Sequence, residues 1–381
     1  MRNAWIFITN RCNLDCSYCY IKKQARDIEA ETAHRILEYI LDDPFFDQHH
    51  IVLFGGEPLL KPDLIEDIVR FGYKQASKNK KILTFSIYTN GTLLTQSVLN
   101  SLFELGVGVD LSLDGIKESH NLSRPFKNSF ESFSTIEKKI PMLLQRYPFS
   151  MVHACITPAN VKYLSENFRY FIDCGFKRIL CQPVLSLNWT GTDYEIFRVQ
   201  LNKTFELYAK LINQSQKIYF NLFEEYEKVK SGDSKTCNDG TPCPAGIQNF
   251  AFSVDGDIYP CHRFATLKYE KGFKAKTSSF KLGNINDPER INNMPLFKRF
   301  LFFSYKRNKT CGGCSVKETC RYCCHWEHFY KYKTYEKINT TVCEIQKIII
   351  NSVDHFCKRY PALKNVKLAE FYHQKNIPLL N

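Results

Sequence analysis

Three cysteines fall within eight residues near the start of the chain, in Cys12-Asn13-Leu14-Asp15-Cys16-Ser17-Tyr18-Cys19. Thiolates at this C-x3-C-x2-C spacing on one loop can hold three irons of a cubane iron–sulfur cluster and leave the fourth open. An open iron can coordinate a small molecule and pass it an electron, whereas four ligands close the site. Two blander readings compete. A disulfide framework wants an even count and a secretory signal, and the motif has neither. Structural zinc wants a fourth Cys or His close by, and the neighbouring sequence supplies none.

A second group of residues recurs at the ends of apolar runs. Phe54 is followed by Gly55-Gly56-Glu57-Pro58, and a later run leads into Thr89-Asn90-Gly91-Thr92. Another ends in Leu111-Ser112-Leu113-Asp114-Gly115, with His120 and Arg124 beyond it. Paired glycines let a backbone approach a ligand, and a carboxylate beside them can accept from an ammonium. Ser112 can bond a ribose hydroxyl, and Arg124 can pair with a carboxylate. Taken singly, each is as well explained by a turn, a cap or a surface ion pair. Successive strand ends behind a cysteine loop make them one candidate site.

The third group is distal. Cys237, Cys243, Cys261, Cys311, Cys314, Cys320, Cys323, Cys324 and Cys343 crowd into a stretch without clear periodicity. Asp255-Gly256 between two β-like runs predicts a hairpin that carries Cys261 back toward Cys243. By spacing alone, two zinc sites compete here with two iron–sulfur clusters.

Elements must position these groups. Short β-rich runs at 4–9, 50–54, 82–88, 107–113, 149–156 and 178–183 alternate with helical periodicity near 30–42, 62–77, 95–105, 129–145, 162–173 and 193–215. Ile36, Leu37, Ile40 and Leu41 repeat at helical spacing, and Pro62-Asp63 reads as a helix start. Six strand–helix repeats predict an α/β fold with a parallel sheet, open or curled into a partial barrel. In such folds the loops after the strands carry function, and the cysteine triplet lies on the first of them. The expected organisation is a barrel over 1–215, a connector over 216–236, a cysteine module over 237–343, and a helix near 344–358 within a tail to 381.

Composition limits the partners. The 381 residues are 44% hydrophobic and contain 16 cysteines. No apolar run is long enough to span a membrane, so a cytoplasmic protein is expected, with metal centres rather than disulfides. The formal charge of +13 treats cysteines as neutral. Three clusters would bring it to about +8. The lysines are spread out and read as solvated surface, with a bias toward acidic peptides. Lys306, Arg307, Lys309, Lys317 and Arg321 lie among the distal cysteines, the only hint of nucleic-acid binding.

With these residues in hand, the chain resembles radical S-adenosylmethionine (SAM) enzymes over nearly its whole length. That resemblance implies a partial (β/α)6 TIM-like barrel whose Cys12, Cys16 and Cys19, with Tyr18 as the motif aromatic, bind a [4Fe–4S] cluster. It implies SAM on the open iron, with Gly55-Gly56-Glu57 at the methionyl amine and Ser112 and Arg124 at ribose and carboxylate. Reductive cleavage of SAM would then give a 5′-deoxyadenosyl radical that abstracts a substrate hydrogen. The distal pattern is similar to the SPASM extension of these enzymes, which carries two auxiliary [4Fe–4S] clusters. By that resemblance Cys237, Cys243, Cys261 and Cys324 hold the first, and Cys311, Cys314, Cys320 and Cys343 the second. Cys323 is ambiguous beside a ligand. Cys155, Cys174, Cys181 and Cys357 are expected to be ordinary buried thiols, with Cys181 singled out because its strand end faces the same mouth.

SPASM proteins mostly modify peptides or proteins. The leading expectation is maturation of a ribosomally made peptide by a thioether or carbon–carbon crosslink. The alternative is anaerobic sulfatase maturation, in which an Asp after the third cysteine of the first auxiliary cluster acts as base. Here His262 holds that position and is the candidate base. An iron–sulfur carrier without SAM chemistry is the alternative of another class. Expected partners are a peptide or protein substrate, a reductase, flavodoxin or ferredoxin as electron donor, and a separate leader-binding protein, because the chain opens directly on the first barrel strand.

Overall fold

The computed structural model describes residues 1–128, 131–231, 245–265, 280–287, 289, 291, 293–296, 298, 309–320, 324–332, 337–361 and 363. Strands β1 (Arg2–Thr9), β2 (Gln48–Gly55), β3 (Ile82–Thr89), β4 (Val107–Ser112), β5 (Met151–Ile156) and β6 (Arg178–Pro183) lie side by side in chain order, all parallel. The crossovers carry α1 (Ala30–Leu41), α2 (Pro62–Lys78), α3 (Gln96–Glu104), α4 (Lys117–Asn121), α5 (Phe133–Glu137), α6 (Ile140–Arg146) and α7 (Leu164–Asp173), and α8 (Gly191–Asn213) follows β6.

Sequence explains most of these boundaries. In α1 the stripe Ala33, Ile36, Leu37, Ile40 and Leu41 is buried against the sheet. Each large aliphatic there contributes about 2 kcal/mol of burial. Pro62 opens α2, where its missing N–H costs nothing, and Thr190 with Asp193 forms a capping box on α8. The single helix expected over 129–145 is two short ones. Pro141 sits in the first turn of α6, and a proline cannot continue a helix from the turn before it.

The two faces of the sheet differ. Val107, Val109 and Leu111 of β4 and Val152, Ala154 and Ile156 of β5 are buried under helices. Their alternates Ser112, His153 and Cys155 are half-buried on the other face. That face is concave, because rings touch across an intervening strand. The Trp5 and Tyr88 centroids are 5.7 Å apart, and those of Tyr88 and His153 are 5.8 Å apart. This is the lumen of a partial barrel.

Past residue 215 the expectation is corrected. The supposed connector contains β7 (Tyr219–Phe220), paired with β6, and α9 (Asn221–Ser231). Phe220 is buried against Phe168 and Phe205, and so belongs to the core. The predicted hairpin is present as β8 (Asn249–Phe252) and β9 (Asp257–Tyr259), with Gly256 at φ +76° in its turn. β8 runs parallel to β1, and β10 (Gly283–Asn284) extends the edge beyond β9. The cysteine module and the barrel therefore share one ten-stranded sheet, in the order β10-β9-β8-β1-β2-β3-β4-β5-β6-β7. The last helix starts earlier than expected and spans Thr340–Arg359, with the Asn339 side chain capping the Thr341 N–H at 3.0 Å. Phe356 anchors it on Phe205, centroids 5.6 Å apart. Among the described residues no helix is long and apolar enough to cross a membrane.

Candidate functional site

The Cys12–Cys19 loop leaves the end of β1 and is stitched down by backbone. Asp15 N donates to Pro125 O at 2.8 Å and Ser17 N to Ser123 O at 2.9 Å, while the Leu14 side chain is fully buried. From the β3 end, Asn90 Nδ2 donates to Asn13 Oδ1 at 2.9 Å, and Asn13 Nδ2 donates to Thr92 Oγ1 at 2.7 Å. Cys12 Sγ accepts from Leu14 N at 3.4 Å. All three thiols are partly exposed. Burial pushes the Cys16 thiol up to about 12 and raises Cys12 as well, so loading a metal must displace protons. Among the described residues no three Cys, His, Asp or Glu close on a single metal ion. Three soft thiols spread along one fixed loop fit a polynuclear iron–sulfur cluster better than one hard ion.

The glycine motif binds the second strand to this loop. Gly56 N donates to Thr9 O and Glu57 N to Arg11 O, both at 2.8 Å. A Cβ on Gly55 would lie 2.2 Å from Thr9 O, and one on Gly56 2.0 Å from Arg11 O. No larger residue fits at either place. Glu57, expected at a ligand's amine, is a buried brace. Its Oε1 accepts from Leu59 N at 3.1 Å and Thr89 Oγ1 at 2.8 Å, and its Oε2 from Asn90 N at 2.7 Å. Burial pushes its carboxyl up to about 7, even against those hydrogen bonds. Glu57 thus fixes the strand ends.

At the β4 end, Asp114 is the hub. Tyr18 OH donates to its Oδ2 at 2.6 Å, Cys155 N donates to its Oδ1 at 2.8 Å, and Arg124 Nε lies 3.0 Å from Oδ2. The Arg124 guanidinium stands 5.4 Å from the Tyr18 ring centre. Burial pushes the Asp114 carboxyl up, but the guanidinium outweighs it and the net shift is downward. The structure therefore brings Tyr18 and Arg124 together at Asp114, with Arg124 already held by that internal anion, and Ser112 lies two residues before Asp114 at the end of β4.

His262 opens α10 (His262–Ala265) in the wall of the lumen. Its ring centre is 4.1 Å from Trp5, 5.7 Å from Phe54 and 6.0 Å from Tyr20. Burial holds it neutral, well below the usual imidazole range. Next to it, Cys261 Sγ accepts from Arg263 N at 3.3 Å, and the Arg263 guanidinium pairs with Glu327, three residues after Cys324. Cys237 and Cys243, the other expected ligands of that cluster, and Cys323 lie outside the described residues. The last four are together: Cys311, Cys314, Cys320 and Cys343 line one pocket of about 750 Å³. Four thiols around a hole that wide fit a [4Fe–4S] core.

Sequence reasoning missed several lumen residues. Cys181 faces the helices, 1% exposed, whereas Cys155, set aside as an ordinary thiol, faces the lumen next to Tyr18 and Asp114. His153 stands beside Cys155 on that face; burial pushes it down to about 4, and its Nε2 has no hydrogen-bond partner among the described residues. The β5 alternation Val152-His153-Ala154-Cys155-Ile156 already separates the two faces, a signal that was available.

Comparison with known proteins agrees with this geometry. Residues 6–157 match the radical SAM superfamily, and residues 243–315 match SPASM, an iron–sulfur cluster-binding domain. An uncharacterized protein of Methanocaldococcus jannaschii is 30% identical over 299 residues, covering 76% of this chain and 91% of that protein. A cysteine-type anaerobic sulfatase-maturating enzyme of Clostridium perfringens (strain 13 / Type A) is 26% identical over 337 residues, 81% of this chain and 85% of that enzyme. The solved structure of native anSMEcpe with bound AdoMet and Cp18Cys peptide shares the fold at a TM-score of 0.76 and 22% identity, over 96% of this chain and 98% of that one. Streptococcus suis SuiB bound to precursor peptide SuiA gives 0.58 at 16% identity, over 90% and 75%. The chain belongs to the radical SAM superfamily and carries a SPASM domain. It is a radical SAM enzyme, and its domains are those that take SAM and [4Fe–4S] chemistry.

Proposed function

We propose that the protein modifies a peptide or protein side chain by hydrogen abstraction in the barrel lumen. The lead reading is maturation of a ribosomally made peptide through a thioether or carbon–carbon crosslink. The observation that carries it is the aromatic wall of Trp5, Phe54, Tyr88, His153 and His262. Through His262 it meets Tyr20, the residue after Cys19, and Cys261, which supports one substrate space shared by the initiating and auxiliary sites. Peptides bound in two structures of the same fold support a polypeptide substrate.

When bound, the cluster and SAM supply a 5′-deoxyadenosyl radical. The chain's residues do the rest. Gly55 and Gly56 let the β2 end close against Thr9 and Arg11 and so set the cysteine loop for a ligand, Ser112 offers its hydroxyl to a ribose, and Arg124 presents its guanidinium to a carboxylate. The aromatic wall keeps water from the radical. Three clusters are proposed: one on Cys12, Cys16 and Cys19, one on Cys237, Cys243, Cys261 and Cys324, and one on Cys311, Cys314, Cys320 and Cys343. A flavodoxin or ferredoxin would supply electrons.

Formylglycine formation is the second reading, favoured by the sulfatase-maturating relative. It would use neutral His262 as base. Anaerobically reconstituted protein should hold about twelve irons and release 5′-deoxyadenosine with dithionite and SAM. Iron without SAM cleavage would leave an electron carrier, and zinc without iron would sink both. Incubation with a precursor peptide encoded beside the gene, and separately with a Cys-containing sulfatase peptide, divides the two readings by mass. A crosslink removes a pair of hydrogens, whereas formylglycine formation removes a pair of hydrogens and also exchanges the cysteine sulfur for oxygen. Undiminished turnover in His262→Ala removes that residue as base.

A further inference from the structure

Arg263 is mostly buried, its side chain 19% exposed, and it stands where a cation is costly without an anion. Its backbone N–H donates to Cys261 Sγ at 3.3 Å. Its guanidinium pairs with Glu327, whose side chain is 1% exposed, and lies 5.8 Å from the centre of the Trp326 ring. Trp326 and Glu327 follow Cys324 closely in the chain, and Glu327 N donates to Cys324 O at 3.1 Å. Arg263 acts on the charge of both Cys324 and Cys261. The guanidinium is therefore locked by a ring and a carboxylate two and three residues after Cys324, while its own backbone bonds the Cys261 thiol.

A lone buried Arg–Glu pair gains little after desolvation. A cubane core on four thiolates contributes about −2, which supplies the missing anion. We propose that Arg263 is the counter-cation of the first auxiliary cluster and sets its reduction potential, with Glu327 holding the guanidinium in place. This rests on the reading of Cys261 and Cys324 as ligands. The couple concerned is the one-electron reduction of the cluster, in which no bond or proton changes hands. Reduction makes the cluster one charge more negative, so an adjacent cation favours the reduced form and raises the potential. Glu327, as an anion, works the other way. A raised potential suits a cluster that accepts the electron left when a substrate radical closes to product.

Redox titration followed by electron paramagnetic resonance, on the reconstituted chain without SAM or substrate, tests this. Arg263→Gln should lower one of the midpoint potentials and leave the others in place, Arg263→Lys should retain most of the native value, and Glu327→Gln should raise the same potential. Shifts of opposite sign are not expected of a merely structural pair. Unmoved potentials at full iron content, or shifts of the same sign in the Gln variants, overturn the proposal. Should Arg263→Gln lose iron, Glu327→Gln decides it: a raised potential sustains the proposal, and an unmoved or lowered one overturns it. Cys324→Ser separates the two layers. Retention of about twelve irons with an unchanged spectrum shows that the ligand reading fails, and the proposal with it. Loss of about four irons alongside unmoved potentials in the Arg263 and Glu327 variants defeats the proposal alone.

Discussion

The Cys12–Cys19 loop and the Cys311–Cys343 pocket both gather thiols, and they are built differently. The first is fixed by others: backbone from the segment after β4, side chains from the β3 end, and glycines of β2 that admit no Cβ. The second is fixed mostly by itself. Cys314 N bonds Cys311 O at 3.2 Å, Cys320 N bonds Val316 O at 2.8 Å, and Cys343 sits in the first turn of the last helix. Local turns surround a hole. Such a contrast predicts that the first site is built by the rest of the barrel, while the second depends on metal to finish folding.

The largest effect should fall on the first site. Cys16→Ala should abolish 5′-deoxyadenosine formation while the thermal midpoint of the metal-free chain moves by no more than about 2–4 °C. Unfolding of that variant would break the comparison. Cys314→Ala should do the reverse, losing about four irons and opening the chain to protease around that pocket while SAM cleavage continues. A resistant pocket would show that the protein, rather than metal, holds it.

Acid should strain the barrel first. Burial pushes His50, His120 and His153 down to about 4, so they are neutral in the folded barrel. Between pH 6.5 and 4 the unfolded chain binds these protons and the folded one does not. Stability is therefore full above 6.5 and falls toward 4, by up to about 3 kcal/mol per histidine. Glu57, raised to about 7, has the opposite slope and offsets part of it. Urea midpoints of metal-free protein across this range check the sign, and His50→Asn should flatten the curve. The smallest effect is Glu57→Gln, which sets an amide donor against Leu59 N, Thr89 Oγ1 or Asn90 N and should cost about 2 kcal/mol. A lower affinity for SAM without loss of stability would instead put Glu57 at the ligand.

Much of this was legible in the sequence. The six barrel strands fall within two residues of their expected bounds, because burial under helices demands β-branched runs and leaves a period. Gly56 and the cysteine triplet were legible because spacing fixes what they can do. Direction was not. Glu57 and Arg124 have side chains long enough to turn either toward a ligand or into the protein, and the structure turns Glu57 inward and gives Arg124 to Asp114. β7 was missed because two residues carry no periodicity, and its place follows from Phe220 meeting Phe168.

The pairing of β8 with β1 has a consequence for dividing the molecule. A chain cut before β8 would leave β1 as a bare edge, with the backbone groups of residues 3–6 unpaired beneath the very loop that carries Cys12. A barrel expressed alone should self-associate along that edge. The cysteine module closes one side of the sheet that carries the Cys12–Cys19 loop, so it is part of the barrel's structure as well as a separate set of thiols.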